Sequence, residues 1–432
     1  MIKLFSAEIL EILSKAAKLY IAFSGGLDST VLLYAALKEP QLRSKIYAIH
    51  VNHQLNKQAC AWQQHCINIC QTWAVPCISA LAAFDTTHNI EAHARQARYA
   101  IFKAQLGAND VLLTGHHLHD QAETLLLQLF RGAGVRGLAA MPSIKSLGQG
   151  RVIRPLLHHA QETLEQYALD NRLTWITDTS NKDSYFTRNW LRLDLIPQLQ
   201  VRWPHVEHTL AKTAMHCQEA QQLLEELAWQ DYQAVALDKQ LSLLKLQTLS
   251  YARLKNVLRY WLNKHDLSPP DTQKLHAMAT IFFTAKTDGL PEIIHETSVI
   301  RCYQHHLYIV PRARCKPKSQ AWVDFPAPLH LTADLGQLTV NSDALVPVNA
   351  PDLHIRFRQG GERIYHHSHH KCLKKCLQAW RVPPWERARI PLLYSCDQLL
   401  AVIGYMYSDD YPKILGKHTK IMWHKSSNQH SG

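Results

Sequence analysis

A compact apolar run, Lys18–Phe23 (KLYIAF), stops at Ser24-Gly25-Gly26-Leu27-Asp28-Ser29, and a helical pattern begins at once over Asp28–Leu37 (DSTVLLYAAL). A strand that turns into a helix through two glycines is the building step of a parallel sheet covered by helices. The step repeats. Lys45–Val51, Val75–Ala80, Asp110–Thr114 and Arg151–Leu156 read as further strands, and Gln58–Trp73, Ile90–Leu106 and Asp120–Phe130 read as the helices between them. The first ~200 residues are therefore expected to be an α/β domain whose ligands bind beyond the carboxyl ends of the strands.

From about Pro204 the pattern changes. His205–Leu227, Leu244–Lys264 and Asp271–Phe283 read as helices, Thr297–Val310 as a hairpin, and Pro311–Pro328 as a Pro-dotted linker. The last stretch carries β runs at His354–Phe357 and Leu399–Tyr405 around a helix at Lys371–Trp380. The expected division is an α/β domain over 1–203, a mainly helical domain over 204–315, a linker and start of a C-terminal domain over 316–350, and a small basic α+β domain over 351–432. A length of 432 residues suits two to three domains.

The chain has 47 Lys and Arg against 35 Asp and Glu, and residues 351–432 alone hold 13 against 6. Such a surplus suits a polyanion, nucleic acid first. The first residues read as an amphipathic helix without the apolar core of a signal peptide. No run approaches the ~18 apolar residues of a membrane span. The expectation is a cytoplasmic protein without a membrane partner. The ten cysteines show no Cys-x-x-Cys spacing, so they read as reduced thiols, with Cys66 and Cys70 in a core.

The glycine loop is the sharpest chemical signal. Gly25 and Gly26 let the backbone approach a bulky anion. The amides there and the positive end of the following helix suit phosphate, with Ser24 and Ser29 adding hydroxyls. Asp28 fits a phosphate site only beside a cation, and Mg2+ held partly by phosphate oxygens would supply one. The same residues also read as a tight turn with a helix cap. In Thr114-Gly115-His116-His117-Leu118-His119-Asp120-Gln121-Ala122-Glu123-Thr124, Asp120 and Glu123 share a helix face beyond a strand end. They suit a metal or an ammonium group, or simply the helix dipole. Glu91, Arg95 and Arg98 form one helical stripe, either reaching phosphate or making a solvated ladder. Asp178-Thr-Ser-Asn181 and Thr187-Arg188-Asn189-Trp190-Leu191-Arg192 combine turn residues with two more cations. Tyr251, Tyr260 and Trp261 among Arg253, Lys255 and Arg259 suit RNA or a core face.

Ser-Gly-Gly-x-Asp-Ser after a strand resembles the PP-loop of the N-type ATP pyrophosphatase superfamily, which implies a Rossmann-like sheet and cleavage of ATP to AMP and pyrophosphate. The ordered set HHxxDQAET, ARQARY, Arg131-Gly-Ala-Gly-Val-Arg-Gly-Leu, Arg154-Pro-Leu-Leu and TRNxxR, followed by Gly361-Glu362-Arg363, Leu373-Lys374-Lys375, Val382-Pro-Pro-Trp-Glu-Arg387 and Ile390-Pro-Leu-Leu, resembles the tRNA(Ile)-lysidine synthetase family. That resemblance implies an ATP-dependent joining of free L-lysine to C2 of the wobble cytidine in the isoleucine tRNA with a CAU anticodon. It implies ATP contacts at Ser24, Gly25, Gly26, Leu27, Asp28, Ser29, His50, Asn52, His53, Gly115 and His116. Catalytic roles fall to Asp28, Asp120, Glu123, Arg95 and Arg98, and Mg2+ to Asp28 and Asp120. RNA and lysine contacts fall to Asn181, Arg188, Asn189, Arg192, Arg363, Lys374, Lys375 and Arg387. A homodimer stays open.

The chain departs from the family pattern in three places. His119 stands where the family usually has an acid. His53-Gln54-Leu55-Asn56 replaces H-G-L-R or H-G-L-S. His366–His370 replaces Pro, Gly and Arg, and reads as a solvent-facing loop rather than a metal site. The competing classes are a PP-loop tRNA thiolase, for which Cys-x-x-Cys pairs are missing, and a catalytically silent tRNA-binding protein, motivated by His119 and opposed by the intact loop.

Overall fold

Strand β1 (Leu19–Ala22) is the axis of the first of two compact units, residues 1–226 and 227–432. The computed structural model describes residues 2–54, 58–83, 90–177, 187–284, 291–312, 316–332, 334–341, 352–416 and 418–425. The first unit runs α1 (Ala7–Ser14), β1, α2 (Leu27–Leu37), β2 (Ile46–Asn52), α3 (Ala59–Thr72), β3 (Cys77–Leu81), α4 (Ile90–Gln105), β4 (Val111–Leu113), α5 (Leu118–Phe130) and α6 (Val135–Leu138). It continues with β5 (Ile144–Leu147), β6 (Gly150–Ile153), α7 (Gln161–Asp170), α8 (Thr187–Trp190) and α9 (Ile196–Arg202), and the boundary at residues 226 and 227 falls within α10 (Val206–Val235).

Among the described residues the strands lie in the order β3-β2-β1-β4-β6-β5. All neighbours pair in parallel except β5, which is antiparallel to β6. Leu19 and Ile21 point into a core with Leu32, Leu33, Leu164 and Ala168 of α2 and α7. Tyr20 joins Ile49, Leu112, Phe102 and Leu106 on the opposite face. Both faces of β1 are therefore covered, which is why it reads as one apolar run. The chain winds outward from β1 to β3 and returns to the other side of β1 as β4. That reversal is a topological switch point, where a crevice opens beyond the strand ends.

The antiparallel β5 was not expected. Ile144, Lys145 and Ser146 are exposed, so this edge strand lacks the buried alternation that marks a strand in sequence. Cys66 and Cys70 are buried in the core, as expected.

The second unit contains β7 (Ala236–Leu237), β8 (Gln240–Ser242), α11 (Leu243–Leu246), α12 (Tyr251–Lys264), α13 (Thr272–Thr284), β9 (Glu292–His295), β10 (Ser298–Tyr303) and β11 (His306–Pro311). The middle region is helical, and among the described residues it adds an antiparallel sheet, β7-β8-β11-β10-β9. Trp261 is fully buried at the centre of this core and donates its indole N–H to the Lys239 carbonyl at 3.1 Å. It is core, unavailable for stacking on RNA. Arg253 pairs with the buried carboxylate of Asp231.

The C-terminal part adds β12 (Gln320–Ala321), β13 (Leu329–His330), β14 (Gln337–Asn341), β15 (Leu353–Arg356), β16 (Arg363–His366), β17 (His369–Cys372), α14 (Leu373–Ala379) and α15 (Pro384–Arg387). The chain ends with β18 (Leu392–Ser395), β19 (Gln398–Val402), β20 (Met406–Tyr407), α16 (Tyr411–Leu415) and β21 (Lys420–His424). Strands β12 and β14, from the Pro-dotted stretch and its sequel, pair with β15 and β21. The histidine cluster 366–370 faces solvent at His367, His369 and His370, and it is an ordered turn between paired strands. It forms the tip of the β16–β17 hairpin, and the backbone N–H groups of His367 and Ser368 donate to the Asp409 carboxylate at 3.1 and 2.9 Å.

Trp261→Ala should leave a large cavity and an unsatisfied Lys239 carbonyl. It is expected to destabilise the second unit by about 3–5 kcal/mol, seen as an earlier unfolding transition in scanning calorimetry.

Candidate active site

The loop after β1 is held by its own hydroxyls. The Ser24 N–H donates to Ser29 Oγ at 3.2 Å, and the two serine Oγ atoms lie 3.1 Å apart. Ser29 Oγ and Thr30 Oγ1 donate to the Gly26 carbonyl at 3.0 and 2.9 Å. Gly25 has φ +83°, and a Cβ there would lie 2.8 Å from both Cys66 Sγ and Ile176 Cδ1. Conformation and space therefore both require glycine. Behind it, burial and the nearby Cys77 push the Cys66 thiol up to about 12.

The loop after β4 closes on this turn. A Cβ on Gly115 would stand 3.0 Å from the Asp28 carbonyl carbon, so the two strand-end loops meet only because residue 115 has no side chain. His117 precedes α5, is buried, and lies between two carboxylates. Its Nε2 is 3.8 Å from Asp28 Oδ2 and 3.6 Å from Asp120 Oδ2. Asp28 leaves 38% of its side chain exposed, yet its Oδ1 is buried without a hydrogen-bond partner. Burial raises its pKa, Asp120 adds to that, and the His117 ring opposes it.

Asp120 and Glu123 share one face of α5. Glu123 is fully buried, and each of its oxygens accepts one guanidinium Nε, from Arg188 and Arg192, both at 2.6 Å. Arg188 also donates to Asp120 Oδ1 at 3.0 Å. The other Asp120 oxygen accepts the His117 backbone N–H at 3.0 Å, so this acid also caps the first turn of α5. Burial works to raise the Asp120 pKa, but His117, Arg188 and His116 outweigh it and hold it at about 2. The cations come from α8 and a π-helical turn over Leu191–Leu195. Such turns are frequent at functional sites.

Burial lowers the pKa of three histidines nearby. Burial brings His116 down to about 3 against the pull of Asp120, with Arg154, Arg95 and Arg188 adding to it, and its Nδ1 lies 2.8 Å from Thr114 Oγ1. Burial, Arg98 and His50 bring His53 to about 4, and Arg98 Nε donates to its Nε2 at 2.9 Å. His50 Nδ1–H donates to the Phe23 carbonyl at 3.0 Å, and burial lowers its pKa. Asn52 binds Gln63 Oε1 at 2.7 Å.

The structure thus brings Ser24–Ser29, His50, Gly115, His116, Asp120, Glu123, Arg188 and Arg192 to the β1, β2 and β4 ends of one sheet. Arg95 and Arg98 are exposed on α4. Arg98 is engaged with His53, and Arg95 lies over the Tyr99 ring at 5.0 Å. Asn189 follows Arg188 on α8. Asn181 and Asp178 lie outside the described residues. In the second unit Arg363, Lys374 and Lys375 are exposed, whereas Arg387 turns to its own fold: Nε donates to the Val382 carbonyl at 2.9 Å and Nη2 to the Tyr303 hydroxyl at 3.2 Å. Sequence reasoning missed His117 and Glu207. His119 faces Glu207 Oε2 at 3.4 Å and Glu162 Oε2 at 3.7 Å. An acid at position 119 would stand among two other acids, so the histidine suits this surrounding. Burial raises the Glu207 pKa, Glu162 adds to it, and His119 opposes it.

Known proteins match this arrangement. The family model described as PP-loop domain matches residues 2–199, so the first unit is a PP-loop domain of the kind its strand ends define. The models described as TilS substrate binding domain and TilS substrate C-terminal domain match residues 241–308 and 353–423. The tRNA(Ile)-lysidine synthase of Legionella pneumophila (strain Paris) is 41% identical over 411 residues, covering 94% of this chain and 95% of that protein. The one of Coxiella burnetii is 39% identical over 402 residues, covering 90% and 89%. That of Photorhabdus laumondii is 37% identical over 424 residues, covering 96% of each. The chain belongs to the tRNA(Ile)-lysidine synthase family.

The depressed pKa of Asp120 fixes a pH dependence. Its charged form adds stability above its unfolded value near ~4, and that stability is lost as pH falls through about 2. The contribution is about 2 kcal/mol. Asp120→Asn is expected to cost about that much at pH 7 and to flatten this part of the acid limb, checked by urea unfolding between pH 5 and 2.

Proposed function

We propose that this protein uses ATP to adenylate the C2 oxygen of the wobble cytidine in the isoleucine tRNA with a CAU anticodon, and then joins free L-lysine to C2. The observation that carries the reading is the meeting of the PP-loop with the Asp28, Asp120 and Glu123 carboxylates at the switch point. In the first step the C2 oxygen bonds to the α-phosphorus and pyrophosphate leaves. In the second the lysine ε-nitrogen bonds to C2 and AMP leaves with the C2 oxygen. The product base pairs with A rather than G.

The residues divide the work by charge. Ser24, Gly25, Gly26, Leu27 and Ser29 offer backbone N–H groups and hydroxyls to the departing pyrophosphate. His50, Asn52, His53, Gly115 and His116 border the nucleoside, and the low pKa values of His53 and His116 leave them uncharged at neutral pH. Arg95, Arg98, Arg188 and Arg192 supply cations for phosphate. Asp120 attracts the lysine ammonium, Glu123 holds Arg188 and Arg192 in place beside it, and a nearby carboxylate takes the proton that the amine must lose before attack.

The residues present fit Mg2+. Asp28 Oδ1 is a buried carboxylate oxygen without a partner, and Asp120 adjoins it across His117. Among the described residues no three His, Cys, Asp or Glu side chains form a ready metal cage. Mg2+ held by Asp28 and Asp120 would thus take its remaining ligands from phosphate and water. When bound, it would neutralise negative charge on the triphosphate.

Arg363, Lys374 and Lys375 would add phosphate contacts in the second unit, and Asn181 and Asn189 would add RNA contacts of their own. Among the described residues no helix is long and apolar enough to cross a membrane, and we place the reaction in the cytoplasm.

With ATP, labelled lysine and an isoleucine tRNA transcript, label is expected in the RNA. Folded protein that binds the tRNA without incorporating lysine would favour the silent tRNA-binding reading. Asp28→Ala should lower ATP–pyrophosphate exchange by roughly two orders of magnitude or more. Exchange that persists in this variant would remove Asp28 from the adenylation step.

A further inference from the structure

The outer face of the middle sheet carries an aromatic cluster away from the PP-loop site. Cross-strand register sets Arg301 opposite both Tyr308 and Glu292, with Tyr303 opposite His306. Ile300, Cys302 and Leu307 face the other way, into the core of the unit. Against the outer face lies Trp385 of α15. Tyr308 and Tyr303 meet its ring edge-on, with centroids 5.2 and 6.1 Å away. Tyr303 is in turn held by Arg387. The Arg301 guanidinium stands 5.4 Å from the Trp385 centroid and is fixed by donation from Nε to Glu292 Oε2 at 3.0 Å. Glu292, Arg301, Pro384 and Trp385 line a cavity of about 340 Å³, within the ~300–1,000 Å³ range of small-molecule sites.

The indole plane, the guanidinium plane and a carboxylate with 55% of its side chain exposed are the elements that take up a splayed base. The charge of the unit indicates the polymer. Residues 227–432 hold 26 Lys and Arg against 16 Asp and Glu, so they carry most of the +12 surplus. We propose that this cavity receives one unstacked nucleobase of the tRNA outside the anticodon, stacked against Trp385 and Arg301, with Glu292 accepting hydrogen bonds from the donor-bearing edge of guanine or cytosine. The inference rests on the reading that the chain acts on tRNA. The wobble base itself belongs at the PP-loop, so the base received here is a different one.

The test uses the full chain, the isoleucine tRNA transcript, and chemical probing of every base edge in the RNA. With the wild-type chain, one guanine or cytosine outside the anticodon is expected to be protected. Trp385→Leu should lose that protection and raise the tRNA Kd roughly tenfold, the effect of losing one base stack. Glu292→Gln, at an exposed position, should raise it a few-fold. Trp385→Phe, which keeps a ring, should recover much of the loss and so separates stacking from folding. The KM for tRNA should rise in these variants while kcat and the KM values for ATP and lysine stay. The salt slope of binding should also stay, because no phosphate contact is lost. Trp385→Leu and Glu292→Gln chains that bind within twofold of wild type and give the same footprint would overturn the proposal. A wild-type chain that neither binds nor modifies the tRNA would overturn the functional reading, and this inference with it.

Discussion

A carboxylate with no exposure to water, Glu123, governs the arrangement of the first unit's site. Buried and charged, it has to be matched by cations with good geometry. Arg188 and Arg192 provide them from a segment 65 and 69 residues further along the chain. The match fixes α5 to the π-helical turn and sets Asp120 beside Arg188. It also leaves Asp28 as the carboxyl with a buried oxygen uncommitted. The guanidiniums are partly solvated, with 26% and 36% of their side chains exposed, so the cluster has one closed end at Glu123 and one end open to a ligand.

The same logic explains His119. Its ring lies 3.7 Å from Glu162 and 3.4 Å from Glu207, where a third acid would add to their repulsion, and it stacks edge-on at 5.4 Å from His117. The departure from the family pattern therefore has local partners in this chain. It leaves Asp120 and Glu123 in place on the face of α5 that meets the two arginines.

Much of this was legible in the sequence. The apolar run before Ser24 reads as a buried strand because both faces of β1 are covered. The i, i+3 spacing of Asp120 and Glu123 puts both on the helix face where Arg188 and Arg192 meet them. Other features left no local signal. His117 matters only because the β1 and β4 ends adjoin, a fact of strand order. Glu207 is 88 residues from His119. Arg387 looks like a surface cation until the Tyr303 hydroxyl is brought to it. Trp261 lies in a helix whose charged and aromatic residues alternate, and only packing shows which side is core. β5 is an exposed edge, and nothing in its four residues alternates.

The contact between Gly25 and Cys66 joins two positions that look unrelated in the chain. Cys66 is a helix residue of the core, and a change there would be classed as ordinary repacking. Yet its sulfur fills the space where a side chain at position 25 would otherwise fit. A bulkier residue at 66 would press on the back of the PP-loop rather than on the core alone. The volume available at one helix position is thus tied to the curvature of the anion-binding turn.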